Sequence, residues 1–232
     1  MKLAAAFLVA DALVAGSAAA APKPTATDWS RIVARTPAGG YRMGNAAAKV
    51  KLVEYGSMTC PHCRLFDEEG GDKLIRNYVR TGKVSYEFRN YVRDPFDIGA
   101  ALIARCNGAR SFFSLTRGLF KDQPKWIATV QSAPPEKIEV IKESGPNRLF
   151  FEFAKLAGLP QWAAARGVPA ARSGQCLTNK AEIDRLVAMN KAATDQFPDF
   201  PGTPTFLLNG KMLGDTSTWG ALEPKIRAEL GS

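Results

Sequence analysis

Two kinds of periodicity divide the chain. Over Lys49–Tyr55 apolar and polar positions alternate, with Val50, Leu52 and Glu54 on one face of a predicted strand and Lys51, Val53 and Tyr55 on the other. A helix carrying Leu65 and Phe66 is predicted to start at Thr59 or Cys60. It should break near Gly70-Gly71 and resume from Asp72 to Arg80, where Leu74, Ile75, Tyr78 and Val79 make an apolar stripe ended by Thr81-Gly82. Lys83 to Tyr91 alternates again, with Val84, Tyr86 and Phe88 on one face. From Asp94 to about Asp195 the alternation stops. Ile98–Cys106, Phe112–Phe120, Leu149–Ala157 and Ala181–Phe197 carry helical spacing instead, punctuated by Gly108, Pro134-Pro135, Gly158-Leu159-Pro160 and Gly167-Val168-Pro169. The Phe112-Phe113 and Phe150-Phe151 pairs read as helical core. Asn179 with Glu182 three residues on has the form of a capping box.

Strand signals return at Thr205–Leu208. Asn209-Gly210 then makes a two-residue hairpin turn and Lys211–Leu213 pairs back. A closing helix runs to Leu230, and Pro224 places its regular start near Leu222. At the other end, Tyr41 to Gly44 reads as a short edge strand. Residues 21–39 are Pro, Ala and Thr rich and read as a flexible arm with one short helix from Trp29 to Arg35. The order is strand, helix, strand, helical insertion, hairpin, helix.

Composition adds a compartment. Lys2, the apolar Leu3–Gly16 and the small-residue run Ser17-Ala18-Ala19-Ala20 have the form of a secretory signal cleaved after Ala20, with an uncleaved N-terminal helix as the other reading. Export into an oxidising compartment lets four cysteines persist as two disulfides. Net charge is +9, and loss of Lys2 with Asp11 leaves it unchanged. The basic residues are scattered, with no aromatic-interleaved stripe of a nucleic-acid binder. They read as a solubilising surface, and they also allow attraction to an anionic membrane face. With 46% hydrophobic residues in 232, the chain can build a substantial core.

The candidate chemistry sits at Cys60-Pro61-His62-Cys63. A disulfide exchanger needs an exposed thiolate to attack and a second thiol close enough to resolve the mixed disulfide. A helix start supplies free N–H groups and the positive end of the dipole to the first sulfur, which makes Cys60 the nucleophile and Cys63 the resolving thiol. Pro61 takes an early helical position where its missing N–H costs nothing, and His62, the sole histidine, can add a donor or a positive charge. Favouring the thiolate stabilises the reduced pair and makes it a stronger oxidant. The same spacing also occurs in half of a zinc site or in an inert bridge. Cys106 and Cys176 form no second Cys-x-x-Cys, no metal site is expected, and Arg64 excludes haem attachment.

Three further features surround the motif. Glu54, on a strand face shared with Val50 and Leu52, is either a buried acid with a raised pKa, able to relay protons to Cys63, or an acid at a solvated strand end. Thr203-Pro204 precedes a strand in a tight turn, a place where the usually trans X-Pro bond can be cis. Cys106 and Cys176, 70 positions apart, are either two free thiols or a bridge contributing roughly 4 kcal/mol in the chain-entropy account.

With Cys60-Pro61-His62-Cys63, Glu54 and Gly202-Thr203-Pro204-Thr205 in this order, the chain resembles DsbA-like thiol:disulfide oxidoreductases of the thioredoxin superfamily. The resemblance implies an α/β thioredoxin fold with a large inserted helical domain: residues 40–93 and 198–232 form the thioredoxin part and 94–197 the insertion. It implies a cis Pro204 beside Cys60, a substrate segment received along Thr203-Pro204, and an extra bridge between Cys106 and Cys176 in the insertion. It also implies a periplasmic monomer that oxidises folding exported proteins with no cofactor beyond the Cys60–Cys63 disulfide, and that a membrane quinone-linked thiol oxidase recharges. Thr203 departs from the valine of the best-known DsbA oxidases and resembles the residue before cis-proline in DsbC and DsbG. An isomerase or reductase is therefore the alternative activity, and a non-catalytic binding or chaperone module with structural bridges is the alternative of another class.

Overall fold

A computed structural model describes residues 27–231 except Asn147. The expected signal segment, residues 1–20, lies outside the described residues.

Six strands form one mixed sheet: β1 (Val33–Arg35), β2 (Tyr41–Met43), β3 (Val50–Gly56), β4 (Val84–Asn90), β5 (Thr205–Leu208) and β6 (Lys211–Met212), in the spatial order β1-β2-β4-β3-β5-β6. Only β3 and β4 run parallel, joined by a helical crossover. The expected helix over Trp29–Arg35 is replaced by a single 3-10 turn, Trp29–Arg31, followed by β1. β1 pairs with β2, so β2 lies inside the sheet rather than at its edge. The β-branched Val33 and the turn through Thr36–Gly39 outweigh the weak local helical signal there.

The crossover begins with α1 (Pro61–Phe66) and continues through a π turn at Asp67–Gly71, α2 (Asp72–Leu74) and a second π turn at Ile75–Val79. The predicted break at Gly70-Gly71 does not occur, since both glycines keep right-handed helical backbone within the π turn. Gly70 is needed for space: a Cβ there would stand 2.5 Å from the Trp219 ring.

The insertion comprises α3 (Pro95–Arg105), α4 (Phe112–Gln131), α5 (Pro135–Glu143), α6 (Leu149–Leu156), α7 (Leu159–Ala164), α8 (Ala170–Leu177) and α9 (Lys180–Gln196). Three of these, α5, α7 and α8, begin where the prolines suggested punctuation. Pro135 and Pro160 occupy first-turn positions and Pro169 the N-cap, where a missing N–H is harmless. α4 runs 11 residues past Phe120, with Pro124 inside it. At α9, Asn179 Oδ1 accepts from the Glu182 N–H, but the Glu182 carboxylate pairs with Arg35, Arg105 and Arg185 instead of closing a capping box.

The chain closes with α10 (Trp219–Leu230), capped by Thr218 and starting three residues before the predicted Leu222, with Pro224 inside the helix. The Asn209-Gly210 turn has positive φ at both residues, 51° and 84°.

The apolar core is continuous across the insertion boundary: Phe112 of α4 stacks on Tyr41 of β2 at 4.2 Å and touches Phe88 of β4. On the opposite face, Val53, Tyr55 and Leu207 pack with Ala193 of α9. Burial on both faces positions the C-terminal end of β3, from which the site is built.

Candidate active site

β3 delivers Gly56, a tight turn over Ser57–Thr59, and then Cys60 as the N-cap of α1. Cys60 has extended backbone, and Pro61 is the first helical residue. β5 runs antiparallel to β3 with Thr205 opposite Tyr55, so the residues just before β5 arrive beside the residues just after β3. That register places Thr203-Pro204 next to Cys60. The Thr203–Pro204 peptide is cis, and the Thr203 carbonyl lies 3.1 Å from the Cys60 sulfur.

Cys60 and Cys63 are free thiols, both buried. The Cys60 thiol is held down at about 5, first by a hydrogen bond from the Cys63 thiol, then by the Thr203 side chain and the N–H groups of Cys63 and His62, against the opposing effect of burial. The two Thr203 groups act in opposite senses, because the carbonyl accepts the S–H and favours the thiol while the side chain favours the thiolate. The donors prevail. Burial pushes Cys63 well above the ordinary thiol value, and its role as donor to Cys60 adds to this. One sulfur is thus prepared to carry charge and the other to stay protonated.

The His62 imidazole is exposed and makes no hydrogen bond among the described residues. The backbone N–H of His62 favours the Cys60 thiolate.

Of the two readings of Glu54, burial holds: the residue is 1% exposed, and burial raises its carboxyl to about 8. Its Oε2 accepts from the Tyr86 hydroxyl at 2.5 Å, while Oε1 has no partner among the described residues. The negative charge of Glu54 contributes to raising Cys63, so the two groups sense one another.

Two polar residues of the insertion complete the site and were not predicted. Asp97, 0% exposed in the first turn of α3, accepts from the Ser57 hydroxyl at 2.6 Å and from the N–H groups of Met58 at 2.8 Å and Arg93 at 3.0 Å. Burial raises its carboxyl to about 7 against those hydrogen bonds. Gln123 of α4 donates from Nε2 to the carbonyls of Met58 at 2.7 Å and Cys60 at 3.0 Å. Asp97 therefore holds the Ser57 hydroxyl and the Met58 N–H, and Gln123 holds the Met58 and Cys60 carbonyls. The Asp94-x-x-Asp97 capping pattern was readable in the sequence, but nothing local to Gln123 marks it.

Cys106, which caps the end of α3, is bridged to Cys176 in the last turn of α8 with Cα atoms 5.4 Å apart. This bridge lies in the insertion, apart from the Cys60–Cys63 pair.

A family model described as Thioredoxin matches residues 36–228, and the chain belongs to that family. Within it the chain has a thioredoxin fold enlarged by inserted helices. It is similar to the crystal structure of a protein-disulfide isomerase from Novosphingobium aromaticivorans, with 34% identity, a TM-score of 0.77, and coverage of 82% of this chain and 97% of that one. Its fold is also that of Wolbachia pipientis alpha-DsbA1, at 21% identity and a TM-score of 0.67, covering 84% of this chain and 92% of that one. A Rickettsia felis chain provisionally named a protein-disulfide oxidoreductase is 29% identical over 176 residues, 75% of this chain and 55% of the relative. The chain thus spans about half the length of the curated relatives it matches.

Proposed function

We propose that the chain is an exported thiol:disulfide oxidoreductase that donates a Cys60–Cys63 disulfide to the thiols of folding proteins. The observation that carries this reading is the division of labour between the two sulfurs, with Cys60 held down at about 5 at a helix start and Cys63 pushed up beneath it.

A substrate thiolate attacks the Cys60 sulfur of the oxidised pair. The S–S bond breaks, its electron pair goes to Cys63, and a mixed disulfide joins substrate to Cys60. Cys63 leaves as a thiolate in a buried site and takes a proton. Glu54, with its carboxyl raised to about 8, is the group placed to supply one. A second substrate thiolate attacks the substrate sulfur of the mixed disulfide and expels Cys60, a good leaving group because its thiolate is stable. Two electrons pass from substrate to enzyme. Pro61, His62 and the Thr203-Pro204 segment shape the approach to Cys60, and the edge of that segment receives extended substrate chain. No cofactor takes part, since the cysteine pair carries the electrons. Reoxidation of the reduced pair by a membrane quinone-linked thiol oxidase closes the cycle. The periplasmic location and cleaved leader rest on residues 1–20, and a monomer satisfies this chemistry.

Isomerase activity is the second reading. Thr203 beside the Cys60 thiolate and the similarity to the Novosphingobium chain named a protein-disulfide isomerase both favour it. Oxidation of reduced ribonuclease, run beside reactivation of scrambled ribonuclease, separates the two. The proposal predicts net oxidation as the faster activity. Reactivation of the scrambled protein without oxidation of the reduced one would overturn it in favour of isomerisation.

A further inference from the structure

Outside the Cys60 site, a second pair of sulfurs, bridged to one another, lines a cavity of its own. The Cys106–Cys176 bridge forms part of the wall of a cavity of about 210 Å³ between the end of α3 and α8.

The rest of the wall is cationic. Arg35, Arg105 and Arg172 line the cavity against a single carboxylate, Glu182. Arg35 and Arg105 both donate to Glu182, which Arg185 also contacts, so that carboxylate is oversubscribed. Arg172 is exposed at the rim and its guanidinium makes no hydrogen bond or ion pair among the described residues. The wall therefore carries surplus positive charge and one cation free to hold an incoming anion.

We propose that this cavity admits small anionic thiols of the glutathione class, which open the Cys106–Cys176 bridge by exchange. The thiolate attacks Cys176, the more exposed of the two residues, while Cys106 is buried. The bridge S–S bond breaks and a mixed disulfide forms between the small thiol and Cys176. Cys106 leaves as a thiolate facing the cationic wall. A second small thiolate attacks the sulfur of the first, releasing its disulfide and leaving Cys176 as a thiolate. Two molecules of the small thiol are oxidised and the bridge is reduced by two electrons.

The test uses a chain in which Cys60→Ala and Cys63→Ala remove the other thiols, so that its outcome does not depend on the oxidoreductase reading. Reduction of the bridge is followed by alkylation and mass spectrometry with glutathione, neutral 2-mercaptoethanol and cationic cysteamine, each rate expressed per thiolate. The proposal predicts glutathione faster than cysteamine by about fivefold or more, with the ratio collapsing in about 1 M salt, where the screening length is about 3 Å. Arg172→Gln should lower the glutathione rate and leave that of 2-mercaptoethanol unchanged. The same series on the wild-type chain, following only the peptides containing Cys106 and Cys176, repeats the test without substitutions at the active site. Rates indifferent to thiol charge, a glutathione rate unmoved by Arg172→Gln, or a bridge that yields only under denaturing conditions would each overturn the proposal.

Discussion

The side-chain amide of Gln123 donates to the carbonyl of Cys60 at 3.0 Å, joining the longest helix of the insertion to the residue that opens α1. The same nitrogen holds the Met58 carbonyl. The inserted helices therefore do more than enlarge the core, because Gln123 and Asp97 together fix the turn that aims the Cys60 sulfur.

Replacing Gln123 with Met keeps the volume and removes the donor. Two buried carbonyls would lose their partner, at a cost of about 1–3 kcal/mol. Urea unfolding of the oxidised protein measures this. A change below about 0.5 kcal/mol would mean that the contact is not holding the turn.

The low Cys60 value makes the stability of the reduced protein depend on pH. Between about 5 and the ordinary thiol value the unfolded chain holds a proton that folded Cys60 has released, so the contribution is complete above that ordinary value and is lost as pH falls through about 5. The oxidised protein has no such thiolate. The stability of the reduced form relative to the oxidised form should therefore fall by about 2 kcal/mol or more from pH 8 to pH 5. Parallel denaturant titrations of the two forms check it, and equal pH dependence would refute the thiolate assignment.

Glu54 acts in the opposite sense. Its carboxyl is raised to about 8, so the stability it gives as a neutral acid is present below about 4.5 and is lost as pH rises toward 8. Glu54→Gln should stabilise the protein by about 2–4 kcal/mol at pH 8 and by much less at pH 5. It should also slow formation of the mixed disulfide in stopped-flow reduction of the oxidised protein, the step in which Cys63 leaves and takes a proton. Stabilisation without a kinetic effect would remove Glu54 from the proton transfer.

Most of the sheet and the position of the thiol motif were legible from alternation and spacing, because β3, β4 and β5 are buried strands with strong local patterns. What failed was governed by tertiary contacts. Gly70-Gly71 looks like a breaker, yet Gly70 is there to admit Trp219. Helical spacing was read only over Phe112–Phe120, which left Gln123 outside, while the packing of Phe112, Phe120 and Trp126 carries α4 on to Gln131 with Pro124 inside it. The ambiguity of Glu54 could be resolved only once β4 brought Tyr86 over it and the insertion shut out water.

The Cys106–Cys176 bridge closes a loop of 70 positions. Changing both cysteines to Ala should cost roughly 4 kcal/mol by the chain-entropy account, read as a lower urea midpoint, with Cys60 reactivity retained in the folded protein. Loss of activity without loss of stability would assign this pair to the reaction itself.

The reduction potential of the Cys60–Cys63 pair tests the central claim most directly. It is measured by equilibrating the wild-type protein in glutathione buffers and quantifying the alkylated peptide that holds both cysteines. A thiolate stabilised as Cys60 is predicts a value above about −200 mV, and a value below about −300 mV, in the range of structural bridges, would contradict it.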